Sequence, residues 1–125
     1  DGASIMALTY YGSTRYMQSY NVMGVAKAAL ETSIKYLAVD MGDRGIRVND
    51  ISAGPMRTLA GAVINKSRKI YNYTIENSPI KKPLSLTDIG KSSVYLMSDL
   101  SKGVTGEILY VDNGYNKVGM SVQEL

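Results

Sequence analysis

The chain has 125 residues, net charge +3, 45% hydrophobic and 20% charged residues, and neither cysteine nor histidine. That balance suits one modest globular domain, long enough to bury roughly two-thirds of its unfolded surface. It excludes disulfides, thiolate chemistry and any Ser-His-Asp or Cys-His arrangement built from this chain alone, and with the commonest metal ligand missing no metal site is expected. Acid–base work near neutral pH therefore falls to Tyr, Lys, Asp or Glu. The charge is too small and too scattered for a nucleic-acid partner; the densest basic region, Lys66 to Lys82, is a patch rather than a tail. No run reaches 18 apolar residues, so neither a membrane span nor a secretory leader is expected, and the lack of cysteine fits a reducing cytoplasm. The chain opens on Asp1 rather than Met, which leads us to expect a native N-terminus further upstream.

In chain order, "ASIMALTYYG" (Ala3–Gly12) reads as a buried strand closed by Gly12, and "STRYMQS" as a loop. From Tyr20 to Met41 the apolar residues Val22, Met23, Ala26, Ala29, Leu30, Ile34, Leu37, Ala38 and Met41 follow one helical face, and Gly42 and Gly45 end it. "IRVNDISAGP" is a strand stopped by Gly54-Pro55. Met56 to Pro83 reads as a mobile loop carrying one or two short helices. Ser85-x-x-Asp88 is a candidate capping box for a helix continued by Ile89, Val94, Met97 and Leu100. "EILYVDNG" is a last strand, Asp112-Asn113-Gly114 a turn without chemistry, and a tail follows. Asn49 is read as a satisfied strand-end polar group and Tyr16 as packing.

Strands alternating with helices predict a parallel α/β sheet with crossover helices. Three strands are half of a doubly wound sheet, and no glycine-rich phosphate turn follows the first strand. The fold expected is therefore the C-terminal half of one Rossmann-like domain over 1–125, with the phosphate-binding half outside the chain.

The residue pair that invites chemistry lies in "YNVMGVAK". At about 100° per residue, a seven-residue step returns to within ~20° of its start, so on a helix Tyr20 and Lys27 share a face two turns apart. A cation beside a phenol favours the phenolate and makes the phenol a better proton donor. The plain alternative is that Tyr20 packs at the helix start and Lys27 snorkels.

"LTYYG", "YNVMGVAKAALE", "RVNDISAGPMRTLA", "PLSLTDIG" and "GEILYVDNG", in this order over essentially the whole chain, resemble the enoyl-acyl-carrier-protein reductases of the short-chain dehydrogenase superfamily. Most of that superfamily places its lysine four residues after the tyrosine; here that position is Gly24, and the seven-residue step resembles the enoyl reductases. The resemblance implies reduction of a trans-2-enoyl thioester on acyl carrier protein with NADH, in cytoplasmic fatty acid biosynthesis. It implies that Tyr20 bonds the thioester carbonyl, that Lys27 holds the nicotinamide ribose, and that Tyr10 is a second active-site tyrosine. It also implies that Gly54, Pro55, Met56, Arg57, Thr58, Leu59 and Ala60 meet the nicotinamide and pyrophosphate, with backbone amides using the close approach that glycine allows. A homotetramer is implied too.

Alternatives stand beside these. Tyr10 also reads as a strand-end core residue, and Gly54-Pro55 as an ordinary turn. A carbonyl reductase of the same superfamily is disfavoured by Gly24. The isolated piece also reads as a non-catalytic fragment that only assembles with other chains. Where the family often has a phenylalanine lining the acyl pocket, Ser67 takes its place. Lys66, Arg68 and Lys69 read either as a contact for an acidic carrier protein or as a solvated face.

Overall fold

The computed structural model describes residues 2–64 and 66–120. Strands β1 (Ala3–Thr9), β2 (Ile46–Ala53) and β3 (Ile108–Val111) form one parallel sheet in that order, with Ala3 opposite Ile46 and Ala53 opposite Val111. Helix α1 (Val22–Asp40) connects β1 to β2. Helices α2 (Leu59–Ala62), α3 (Ser67–Asn77) and α4 (Leu86–Met97) lie between β2 and β3. This is the α/β arrangement the alternation predicts.

Successive side chains of a strand face opposite sides, and β2 divides its residues accordingly. Val48 packs with Ile34 and Ala38 of α1, whereas Ile51 packs with Ile89 and Leu96 of α4. The two helices therefore cover opposite faces. Both steps run the same way across the sheet, so the two crossovers have opposite hands, and one departs from the usual right-handed rule.

The faces differ in part from expectation. On α1 only Ile34 and Ala38 are buried, while Val22, Met23 and Leu37 of the predicted face are exposed. On α4 the sheet receives Ile89 and Leu96; Val94, Met97 and the following Leu100 face outward. Between Ile89 and Leu96, Ser93 satisfies its hydroxyl on the carbonyl of Ile89 (2.8 Å), so a polar residue sits on the inner side of this helix at little cost. The expected capping box is present: Ser85 Oγ accepts from the Asp88 amide, and the Asp88 carboxylate accepts from the Ser85 amide. At the end of α1, Gly45 takes the left-handed conformation (φ 68°) that closes the short turn into β2.

Asn49 is fully buried and bonded at both side-chain polar atoms, but it lies within β2 and not at the strand end. Its amide donates to Val104 O (2.9 Å), and its oxygen accepts from the Glu107 amide (3.0 Å). Arg47 reaches Ser98 O and Ser101 Oγ on the same side. Together they clamp the α4–β3 connection to the central strand. Asp112 accepts from the amides of Gly114 and Asn116, with Asn113 and Gly114 at positive φ, which is the expected turn. The tail after Gly114 begins with one 3-10 turn, Tyr115–Lys117, and the expectation for 121–125 lies outside the described residues.

Two glycines let the turn after β1 touch α1. A Cβ on Gly24 would stand 2.8 Å from the carbonyl oxygen of Gly12, and a Cβ on Gly12 would overlap the Tyr20 ring. Glu31 of α1 accepts from Thr9 Oγ1 (2.8 Å) and Ser13 Oγ (2.6 Å), holding the same turn from the other side.

The remaining polar groups beneath α1 are less well served. Asp50 and Ser52 are buried, and neither Asp50 oxygen nor Ser52 Oγ has a hydrogen-bond partner among the described residues. Burial lifts the Asp50 carboxyl from its ordinary 3.8 to about 6; Glu31 pushes it further up, while the Ile51 amide and Lys27 pull back.

Two outcomes are expected in the protein that carries this chain. The higher Asp50 pKa belongs to the folded state, so its contribution to stability is full below about pH 4 and is lost as pH rises through about 6. Asp50→Asn should therefore raise the urea midpoint at pH 7.5, by a free energy of about 3 kcal/mol at most. The gain should shrink at pH 4.5; an equal gain at both pH values would rule out ionisation as its source. At Gly24, helix propensity alone would make alanine better by about 1 kcal/mol. Overlap with a backbone oxygen costs about 1–3 kcal/mol, so Gly24→Ala should lower the melting temperature, and a rise would contradict the contact.

Candidate active site

A cavity of about 300 Å³ opens where β1 and β2 end. Leu8, Thr9 and Tyr10 leave β1 along one wall, and Gly54, Pro55 and Met56 leave β2 along another. Helices α2 and α3 form the third, with Gly61, Ile64, Ser67, Ile70 and Tyr71 around the space. Tyr20 and Lys27 border the same cavity. The volume is at the lower end of ligand pockets, and a mostly apolar lining with a few convergent polar groups is their usual make-up.

Tyr20 reaches this place by a route the seven-residue step does not describe. Helix α1 begins at Val22, and Asn21 has φ 45° and ψ −121°, so Tyr20 sits in the preceding turn. The shared helical face of Tyr20 and Lys27 is therefore corrected. The turn carries Tyr20 to the cavity, and only Lys27 is placed by the helix. The Tyr20 ring is 8% exposed, seated against Gly12 and edge-on to Tyr10 at 5.0 Å between centroids.

The electrostatics differ from expectation as well. Burial pushes the Tyr20 phenol above its ordinary value, and Lys27 is not among the causes. The ammonium of Lys27 donates to the Leu8 carbonyl at 2.8 Å. Tyr10 is pushed up further, first by burial and then by Tyr115, Tyr20 and Asp112. Neither phenol is shifted toward ionisation, so each keeps the O–H with which it can donate a hydrogen bond.

The loop after β2 divides. Gly54, Pro55, Met56, Thr58 and Ala60 border the cavity. Arg57 does not; its guanidinium lies over the Tyr71 ring at 5.2 Å. Leu59 is 92% exposed and also stays outside. Thr58 caps α2, its hydroxyl accepting from the Gly61 amide at 3.0 Å. Gly54 is needed for packing: a Cβ there would stand 3.0 Å from Cα of Asp112, so its bare face meets the turn after β3 and not the cavity.

Sequence reasoning missed Met17, Gln18, Ile64, Ile70 and Tyr71, all of which line the cavity. Ser67, Ile70 and Tyr71 stand at the i, i+3, i+4 spacing of α3, a signal that could have found them. Met17 and Gln18 lie in an irregular loop with no such signal. Tyr16, read as packing, is 89% exposed, because the loop turns it outward one step before Met17 turns in.

A family-wide sequence profile described as enoyl-(acyl carrier protein) reductase matches residues 1–116. The chain is 57% identical over 124 residues to "Enoyl-[acyl-carrier-protein] reductase [NADH] 2" of Rhizobium meliloti, covering 99% of this chain and 46% of that protein. It is 54% identical to the NADH enoyl-[acyl-carrier-protein] reductase FabI of Rickettsia typhi, covering 97% of this chain and 46% of that one. The fold superposes on the crystal structure of FabI from Candidatus Liberibacter asiaticus with a TM-score of 0.93 at 57% identity, over 97% of this chain and 47% of that chain. It also superposes on the reductase of Anaplasma phagocytophilum in complex with NAD, with a TM-score of 0.91 at 52% identity, over 98% and 47% of the two chains. The chain thus spans about half the length of the curated relatives it matches. Matched by the profile along nearly all its length, and more than half identical to these relatives, the chain belongs to the enoyl-(acyl carrier protein) reductase family.

Proposed function

We propose that the protein carrying this chain reduces trans-2-enoyl thioesters on acyl carrier protein to acyl thioesters, with NADH, in fatty acid biosynthesis. The observation that carries the reading is the meeting of Tyr20, Tyr10 and Lys27 around one apolar cavity. Its place outside the carboxyl ends of parallel strands is where open α/β sheets bind nucleotides.

NADH, when bound, supplies the hydride for the β-carbon of the enoyl thioester, and the enolate so formed takes a proton at its α-carbon to give the acyl thioester. The chain's own residues do the rest. Lys27 has three N–H donors; one is held by Leu8 O, which leaves two for the ribose hydroxyls. Thr58 accepts from Gly61, so its O–H is free to donate to a phosphate. Gly54, Pro55, Met56 and Ala60 border the space for the nicotinamide end. Arg57 and Leu59 take part through their backbone only, since their side chains lie outside the cavity. These residues fit a nicotinamide cofactor: donors at the rim, apolar walls within.

Tyr20, whose phenol burial shifts further from ionisation, donates a hydrogen bond to the thioester carbonyl. That bond strengthens as charge develops on the enolate oxygen, which is the differential stabilisation catalysis needs. Tyr10 packs edge-on against Tyr20 and restricts its ring. Ile64, Ile70 and Met17 offer an apolar surface to the acyl chain, with Ser67 leaving extra room beside them.

We read residues 1–125 as the C-terminal half of one Rossmann-like domain. The exposed Ile5 and Leu8 on β1, at the edge of the sheet, support a missing neighbour there. Val22, Val25 and Val39, exposed on α1, suit contacts with other subunits of a homotetramer. Lys66 and Lys69 flank a groove with Tyr16 and Tyr73, and with Arg68 they suit an acidic carrier protein. The same reading carries a cytoplasmic location.

Two substitutions test the roles. Tyr20→Phe should lower kcat for an enoyl thioester by about a hundredfold to a thousandfold, as loss of one oxyanion donor does; unchanged turnover would sink the donor role. Lys27→Ala should raise the Kd for NADH, measured by fluorescence titration, by about tenfold or more. An unaltered Kd would remove Lys27 from the ribose.

A further inference from the structure

Tyr20 is flanked by two residues in a backbone region that L side chains rarely occupy. Ser19 has φ 65° and Asn21 has φ 45° with ψ −121°. The Met23 amide donates to the Tyr20 carbonyl at 3.1 Å, closing a four-residue turn with Asn21 at its first central position. That hydrogen bond and those angles are a type II′ turn, in which this corner belongs to glycine. A residue with a Cβ is strained there.

Nothing local explains Asn21 in this conformation. Its side chain makes no capping hydrogen bond, and it is exposed. The constraint comes from its neighbour. The Tyr20 ring fills the space left bare by Gly12, packs beside Gly24 and stands edge-on to Tyr10. The Tyr20 amide donates to Met17 O at 3.2 Å, and the Gly24 amide to Asn21 O at 2.9 Å. Relaxing Asn21 to negative φ would redirect the chain on both sides and withdraw the ring from its slot.

We propose that Asn21 is a positioning residue: the strained II′ corner it forms aims the Tyr20 phenol into the cavity. The inference rests on the functional reading only for its kinetic consequence. Backbone conformation carries the role, not a contact of the Asn21 side chain. The ranking that follows is that glycine is tolerated and a β-branched residue is not, because valine disfavours positive φ far more strongly than asparagine does.

The test uses the full-length protein labelled with 3-fluorotyrosine, with the Tyr20 fluorine resonance assigned through Tyr20→Phe. Asn21→Val should move that resonance toward its solvent-exposed position. It should also lower kcat with an enoyl thioester by about a hundredfold, the cost of a misplaced catalytic group. The KM for NADH should stay within about twofold, since Lys27 is placed by the helix. Asn21→Gly should leave both the resonance and kcat near those of the unsubstituted protein, and circular dichroism should show both variants folded. An unmoved Tyr20 resonance in Asn21→Val overturns the proposal. So does an Asn21→Gly variant that loses turnover as far as the valine variant, since that would assign the effect to a side-chain contact. If the unsubstituted protein reduces no enoyl thioester, the functional reading fails, and the fluorine shift alone still decides the positioning role.

Discussion

Strand β2 is the element on which everything else rests. Val48 to Ser52 are at most 1% exposed, because α1 covers one face of the strand and α4 the other. A strand buried on both sides must answer for every polar atom it carries. Asn49 does so by bonding the connection before β3, and Arg47 ties down the end of α4 in the same way. With the strand held on both faces and at both neighbours, its carboxyl end has a fixed exit. Gly54 and Pro55 leave there and become a wall of the cavity. Asp50 and Ser52 are the exceptions to this accounting, their side-chain oxygens buried without a partner among the described residues on the face beneath α1.

The second constraint is the close approach of the Tyr11–Ser13 turn to α1. Gly12 and Gly24 make it feasible, and the Tyr20 ring fills the gap between them. This contact also leaves no room at Gly24 for a side chain. Even a methyl group there would meet the Gly12 carbonyl at 2.8 Å. Lys27, one turn on, borders the cavity, and one turn further Glu31 holds the same turn through Ser13.

Element order and helix capping are legible in local sequence signals. The order of strands and helices followed from hydrophobic runs bounded by glycine and proline, and the Ser85–Asp88 box followed from two side chains three residues apart. Both depend on interactions within a few residues. Which residues face inward is less legible. Periodicity groups residues on one side of a helix, but it does not say what covers that side. Val94 and Met97 share a helix with Leu96, and only packing on β2 selects Leu96. Val22, Met23 and Leu37 fit the apolar stripe of α1 yet face outward, because β2 reaches only Ile34 and Ala38.

By itself the sequence determined the parallel α/β order, the absence of histidine and cysteine chemistry, and the tyrosine and lysine types on which the candidate site relies. Only the tertiary structure decided how they meet. Tyr20 arrives from a strained turn and not from the helix, Arg57 and Leu59 leave the cavity while Met17 and Tyr71 enter it, and burial raises both phenols above their ordinary pKa. The reason is physical. A positive φ at an asparagine costs energy that its own neighbours do not repay, so it persists only where a distant contact holds it. Here that contact joins Gly12, Tyr20 and Gly24, and it exists only once β1 and α1 have packed.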